Sequence, residues 1–178
     1  MKKIAILCCI TLAFLSCSSD DDSTNGGDDN GNLELGIYRL TSFETVSSFD
    51  FDGDGDSSND LLIETGCLQN ERLVFTDGNL VASISSSSLD IFVEIDTDSG
   101  ELTQIVDCVE EEDSVVLAFE VNGNDISIID GTTVLIAGVI SGDQLIFEVP
   151  EGFIFETIES GVTVTLTETA VLTYTFQL

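Results

Sequence analysis

The chain has 178 residues, 43% of them apolar, which is enough for one packed domain and too apolar for a disordered chain. Its formal net charge is −30, from 34 acids against four cations, so it repels phosphate and excludes both nucleic acid and electrostatic docking on anionic lipid. There is no histidine, and lysine occurs only at Lys2 and Lys3, which removes Ser-His-Asp and Cys-His nucleophiles, imidazole metal sites, Schiff-base lysines and phosphate-loop lysines.

Met1-Lys2-Lys3 is a basic start. Ile4 to Leu15 is an apolar stretch of about a dozen residues, too short to span a bilayer as a helix. It ends at Phe14-Leu15-Ser16-Cys17. An aliphatic residue and then a small one directly before cysteine resemble the lipobox of bacterial lipoproteins, with Phe14 where leucine is usual. The resemblance implies cleavage after Ser16 and acylation of Cys17, so that lipid (palmitate or a similar chain) anchors the protein in the outer membrane. Two or three acyl chains make such an anchor stable, where one gives marginal binding. The alternative is an ordinary cleaved signal followed by a chance cysteine. Cleavage takes both lysines and no acid, so the net charge moves from −30 to −32 and Arg39 and Arg72 remain the only cations. Cys8 and Cys9 read as small hydrophobes of the leader.

Ser18, Ser19, Asp20, Asp21 and Asp22 follow. Serine and then an acidic run just after the lipidated cysteine resemble the surface-export signal of Bacteroidetes lipoproteins, which implies display at the cell surface. The alternative is a solvated acidic linker. Residues 23–32 contain no apolar side chain and read as a tether. The organisation is therefore a leader over 1–16, a lipidated acidic tether over 17–33 and a folded domain over 34–178.

The folded part reads as strand after strand. Asp77-Gly78 carries a type I′ hairpin signature between Leu73–Thr76 and Asn79–Ile84. Ser99-Gly100 turns Ile91–Ile95 into Leu102–Val106, Asn122-Gly123 joins Val115–Val121 to Asp125–Ile129, and Ser141-Gly142 joins Val134–Ile140 to Gln144–Val149. Alternation is clear in Val115, Leu117, Phe119 and Val121, in Leu145, Phe147 and Val149, and in Leu172, Tyr174, Phe176 and Leu178. A short helix or turn fits only Ser57 to Thr65. Pro150 reads as a strand end, where its missing N–H is tolerable. Glu110-Glu111-Glu112-Asp113 reads as a solvated loop. The expected fold is all-β, an antiparallel up-and-down meander of about eight to ten strands, and closure into a barrel removes its edges.

Cys67 and Cys108 are the only cysteines in the domain. An even count in an exported, oxidising setting predicts one disulfide; a two-cysteine metal site without histidine is a poor alternative.

Gly36-Ile37-Tyr38-Arg39-Leu40-Thr41-Ser42 resembles the opening Gly-x-Trp-x-Leu-Thr-Ser strand of the lipocalin-like domains of Bacteroidetes and Flavobacteria lipoproteins. Further agreement lies in the Asp-rich stretch before Leu61-Leu62, in Glu64-Thr65-Gly66-Cys67, in Asp107-Cys108 and in Leu172-Thr173-Tyr174-Thr175. Tyr38 stands where that pattern has tryptophan, and Val116-Leu117-Ala118-Phe119 stands where it has a central Gly-x-Trp. The resemblance implies a lipocalin-like barrel over residues 34 to 178, no enzyme, no required cofactor, and a small apolar ligand. Phe75, Phe92, Phe119, Phe147, Tyr174 and Phe176 are the candidates to line its interior, against the alternative that they pack it.

Asp50-Phe51-Asp52-Gly53-Asp54-Gly55-Asp56 resembles a Ca²⁺ loop of EF-hand type, with oxygen donors at alternate positions and Gly55 at the turn. Position 12, normally a bidentate glutamate, is Leu61, so Asp60 or Glu64 must substitute. The candidate ligands are Asp50, Asp52, Asp54, Asp56, Asp60 and Glu64, and the alternative is a solvated acidic loop. Bound Ca²⁺ would make the domain an adhesion or interaction module. Asp98-Ser99-Gly100 matches the Asp-Ser/Thr-Gly of aspartic proteases, but that chemistry needs two carboxylates sharing a proton, and a hairpin turn accounts for it.

Overall fold

Short turns set the topology. The computed structural model describes residues 33–178, and Cys17, Ser18, Ser19, Asp20, Asp21 and Asp22 lie outside them. Strand β1 (Gly36–Phe49) is followed by β2 (Ser58–Asp60) and helix α1 (Leu61–Thr65). Then come β3 (Arg72–Thr76), β4 (Leu80–Ile95), β5 (Leu102–Asn122), β6 (Asp125–Asp130), β7 (Thr133–Ser141), β8 (Gln144–Glu159) and β9 (Val162–Gln177). The four hairpins expected at Gly78, Gly100, Gly123 and Gly142 all form, each with its glycine at positive φ. Two more, at Gly131 and at Ser160-Gly161, carry weaker turn signals.

All pairings are antiparallel and run in the order β1-β3-β4-β5-β6-β7-β8-β9, and β9 pairs back onto β1. Eight strands thus close a barrel, and β2 adds a short outer strand on β1. Closure pairs the first and last strands of the wall with each other.

Register shifts in four pairings of the wall. β1 shifts between Leu40 and Ser42, β4 between Ser85 and Ser87, the β6–β7 pair between Ile128 and Ile129, and β8 between Val149 and Phe153. Pro150 sits in this last bulge, inside β8 rather than at a strand end. It is tolerated because three residues of β8 there face one of β9, so no ladder bond is lost. The Glu110–Asp113 run is also strand, not loop: it lies within β5, opposite the β4 irregularity.

The buried side chains form two cores. The first fills the barrel with Tyr38, Leu73, Phe75, Val81, Phe119, Ile126, Ile128, Ile140, Leu145 and Phe147. Tyr38, the residue in place of tryptophan, is 2% exposed and meets Phe75 edge-on at 5.4 Å. The second core holds Leu61, Ile91, Phe153, Phe155 and Ala170, with Phe43, Phe49 and Phe51 against them. Here Phe49 stacks on Phe51 at 4.7 Å and meets Phe155 edge-on at 5.0 Å. Such ring pairs add about 0.5–1.5 kcal/mol each beyond their burial. The Cys67–Cys108 disulfide, Cα–Cα 5.6 Å, ties the end of α1 to β5 beside this second core.

Candidate functional site

Two sites draw on the two cores. The first is the acidic loop between β1 and β2. Phe51 is pinned by its stacking on Phe49, and its backbone N–H donates to Glu64 Oε2 at 3.1 Å. Asp50 and Asp52 flank Phe51. Glu64 is held beneath them by α1, which is short but capped at both ends: Asp60 Oδ1 accepts from Leu62 N–H at 3.0 Å, and Gly66 closes the helix in the left-handed conformation. Oxygens of Asp50, Asp52 and Glu64 consequently lie within 4.8 Å of one another. Glu64 is only 4% exposed, whereas the two aspartates are exposed.

The other three predicted ligands do not join this cluster. Asp54 and Asp56 shape the loop instead: Asp52 Oδ1 accepts from Asp54 N–H at 3.0 Å, and Asp54 Oδ1 accepts from Asp56 N–H at 2.8 Å. These are successive Asx turns. Asp60 is taken by the helix cap and also accepts from Phe43 N–H at 3.2 Å. Of the two substitutes considered for position 12, Glu64 is the one that reaches the aspartates.

The second site is inside the barrel. A cavity of about 170 Å³ is lined by Leu73, Leu117, Ile128, Leu135, Ile136 and Phe147, with Ser83 and Tyr174 supplying the polar atoms. Of the predicted lining residues, Phe147 and Tyr174 reach it. Phe75 and Phe119 pack the core, edge-on to each other at 5.0 Å, and Phe176 packs against Tyr38. Phe92 is not in the barrel. Its neighbour Ile91 takes the inward place in the second core, and the period of two turns Phe92 to the other face of β4. Leu73, Ser83, Ile128 and Ile136 were legible only as members of the hairpin strands.

Burial pushes the Tyr174 hydroxyl up to about 12, with the Glu71 carboxylate adding to the effect. Burial likewise raises Tyr38. These are the only tyrosines. A folded pKa above the unfolded value of about 10 contributes stability below that pH, and the contribution is lost as pH rises toward the folded value. Alkaline titration is therefore expected to release tyrosinate above pH ~10, together with unfolding. Tyr174→Phe should move that unfolding to higher pH. A simple, unfolding-free tyrosinate step near 10 for both rings would contradict their burial.

Asp98 lies in the β4–β5 turn, where Asp96 Oδ1 accepts from the N–H groups of Asp98 and Ser99, both at 2.8 Å. Those bonds hold the Asp96 carboxyl below its usual range. The Asp-Ser-Gly sequence is turn chemistry. Comparisons with family models, with curated proteins and with solved structures return no match for this chain.

Proposed function

We propose that this is a non-enzymatic, lipid-anchored surface protein whose barrel holds a small apolar molecule. The observation that carries the ligand reading is the cavity of about 170 Å³ with six apolar side chains on its walls. Drug-sized ligands occupy about 300 Å³ or more, while a dry cavity near 150 Å³ accepts benzene or xenon. The guest is accordingly a single ring or its equivalent, with Tyr174 and Ser83 able to meet one polar atom. The anchor is supported by the sequence at Cys17 and the export signal by Ser18–Asp22. The test is thermal melting of the full chain with benzene. A saturable rise in Tm, reduced in Leu117→Phe, is expected, and no shift at any benzene concentration would overturn the reading. Metabolic labelling with palmitate, lost in Cys17→Ser, tests the anchor.

A second reading is favoured by the convergence of Asp50, Asp52 and Glu64: Ca²⁺ bound there would stiffen the loop as part of an interaction surface. Three carboxylates supply part of the six to eight oxygens that Ca²⁺ needs, and carbonyls and water complete such sets. Calorimetric titration should show Ca²⁺ uptake that Glu64→Gln reduces at least tenfold. Asp56→Asn, outside the cluster, should leave it intact. A chelator-insensitive Tm together with no heat of binding would dispose of this reading.

A further inference from the structure

β4 is longer than the strand that covers it. β3 pairs with it only from Leu80 to Ile84, whereas β5 pairs along its other side as far as Ile95. Among the described residues no strand covers the β3-side edge of β4 beyond Ile84.

Two glutamates close the ends of this open edge. Ser87 N–H donates to Glu71 Oε1 at 3.3 Å, and Val93 N–H donates to Glu156 Oε2 at 2.9 Å. Glu156 is held from β5 as well, because the Gln104 side-chain amide donates to its backbone carbonyl. Strand groups alternate in direction, so Leu89 and Ile91, of the same parity as Ser87 and Val93, turn their N–H and C=O groups to this edge. A groove of about 290 Å³ lies there, lined by Asp90, Ile91 and Phe92 of β4, Ile154, Phe155 and Glu156 of β8, and Thr165 of β9. Ile154 is 64% exposed.

The charge of the site selects its occupant. Asp90 and Asp107 are direct cross-strand partners, and both are exposed. Like charges in that relation destabilise a sheet, and a cation between them removes the cost. We infer that the β4 edge between Ser87 and Val93 takes an extended segment of another protein as an added strand, with lysine or arginine set against Asp90 and Asp107 and apolar side chains against Phe92 and Ile154. An unpaired edge offers its backbone groups to an added strand, which supplies affinity, while the groove supplies specificity. A second copy of this chain is a poor occupant. It carries net charge −30, and its domain has only Arg39 and Arg72 as cations, which are paired with each other across β1 and β3 inside the wall rather than carried on a segment able to dock. The tether is no better, because residues 18–32 hold five acids and no cation.

The probe is a labelled octapeptide of alternating lysine and valine, followed by fluorescence polarisation on the full chain at physiological salt. Binding in the micromolar range is expected. The same peptide with alternate backbone nitrogens methylated keeps its charge and loses its donors, and should bind at least tenfold more weakly. Asp90→Lys, an exposed change whose folding is checked by its Tm, should weaken the unmodified peptide to the same degree. Equal binding of the methylated peptide would mean attraction by charge alone and would overturn strand addition. Indifference to Asp90→Lys would place the contact elsewhere, and absence of binding would remove the site altogether.

Discussion

Phe147→Ala is expected to lower the stability of the domain by about 3–5 kcal/mol, toward the upper end of that range. Phe147 is 1% exposed and packs edge-on against Tyr174 at 6.0 Å. Across β7 and β8 it faces Gly138, where a Cβ would stand 2.6 Å from Phe147 Cδ1 and 2.3 Å from the Ile146 carbonyl. The ring therefore sits in the space that glycine leaves. Truncation opens a void that Gly138 cannot fill and that merges with the neighbouring cavity, so little collapse offsets it. Urea unfolding should show a lower midpoint with an unchanged slope. Phe92→Ala, on the other face of β4, should cost about 1 kcal/mol or less. Equal losses at the two positions would mean that the barrel core has been misassigned.

Breaking the Cys67–Cys108 bond is expected to cost about 4 kcal/mol, because the cross-link closes a loop of 41 residues and removes that freedom from the unfolded chain. At ~2–4 °C per kcal/mol for a domain of this size, Tm should fall by roughly 8–16 °C on reduction. Thermal melts with and without reductant measure it, and the double variant Cys67→Ala/Cys108→Ala should melt low and ignore reductant. The effect should also be local. Cys67 follows directly on Gly66 at the end of α1, and α1 holds Glu64 under Asp50 and Asp52. If the acidic cluster binds Ca²⁺, reduction should weaken that binding more than it perturbs the barrel core. A reduced protein with unchanged Tm would show that the loop is held by Leu61 and its neighbours alone.

The hairpin chemistry was readable in the chain because it is local. Gly78, Gly100, Gly123 and Gly142 permit backbone angles that other residues adopt at a cost, and the alternation beside them assigns a face to each side chain. The turn at Ser160-Gly161 uses the same chemistry but sits in a run of threonines with weaker contrast between faces. Of the acidic loop, Asp50 and Asp52 were legible by spacing. That Glu64 rather than Asp60 completes the group was not, because it depends on which carboxylate the helix cap consumes.

The chain by itself determined an all-β meander, the disulfide partners and the residues that face inward along most strands; that β9 closes onto β1 was seen in the tertiary structure. Turn propensity, side-chain period and cysteine count act over a few residues or by elimination, so one dimension suffices for them. Only the tertiary structure decided where the strands bend, that β8 continues through Pro150, that Phe92 leaves the barrel, and that the interior keeps about 170 Å³. Each of those depends on register between strands distant in sequence. A slip of one residue there exchanges the faces of a whole strand, and no local preference records which register packs.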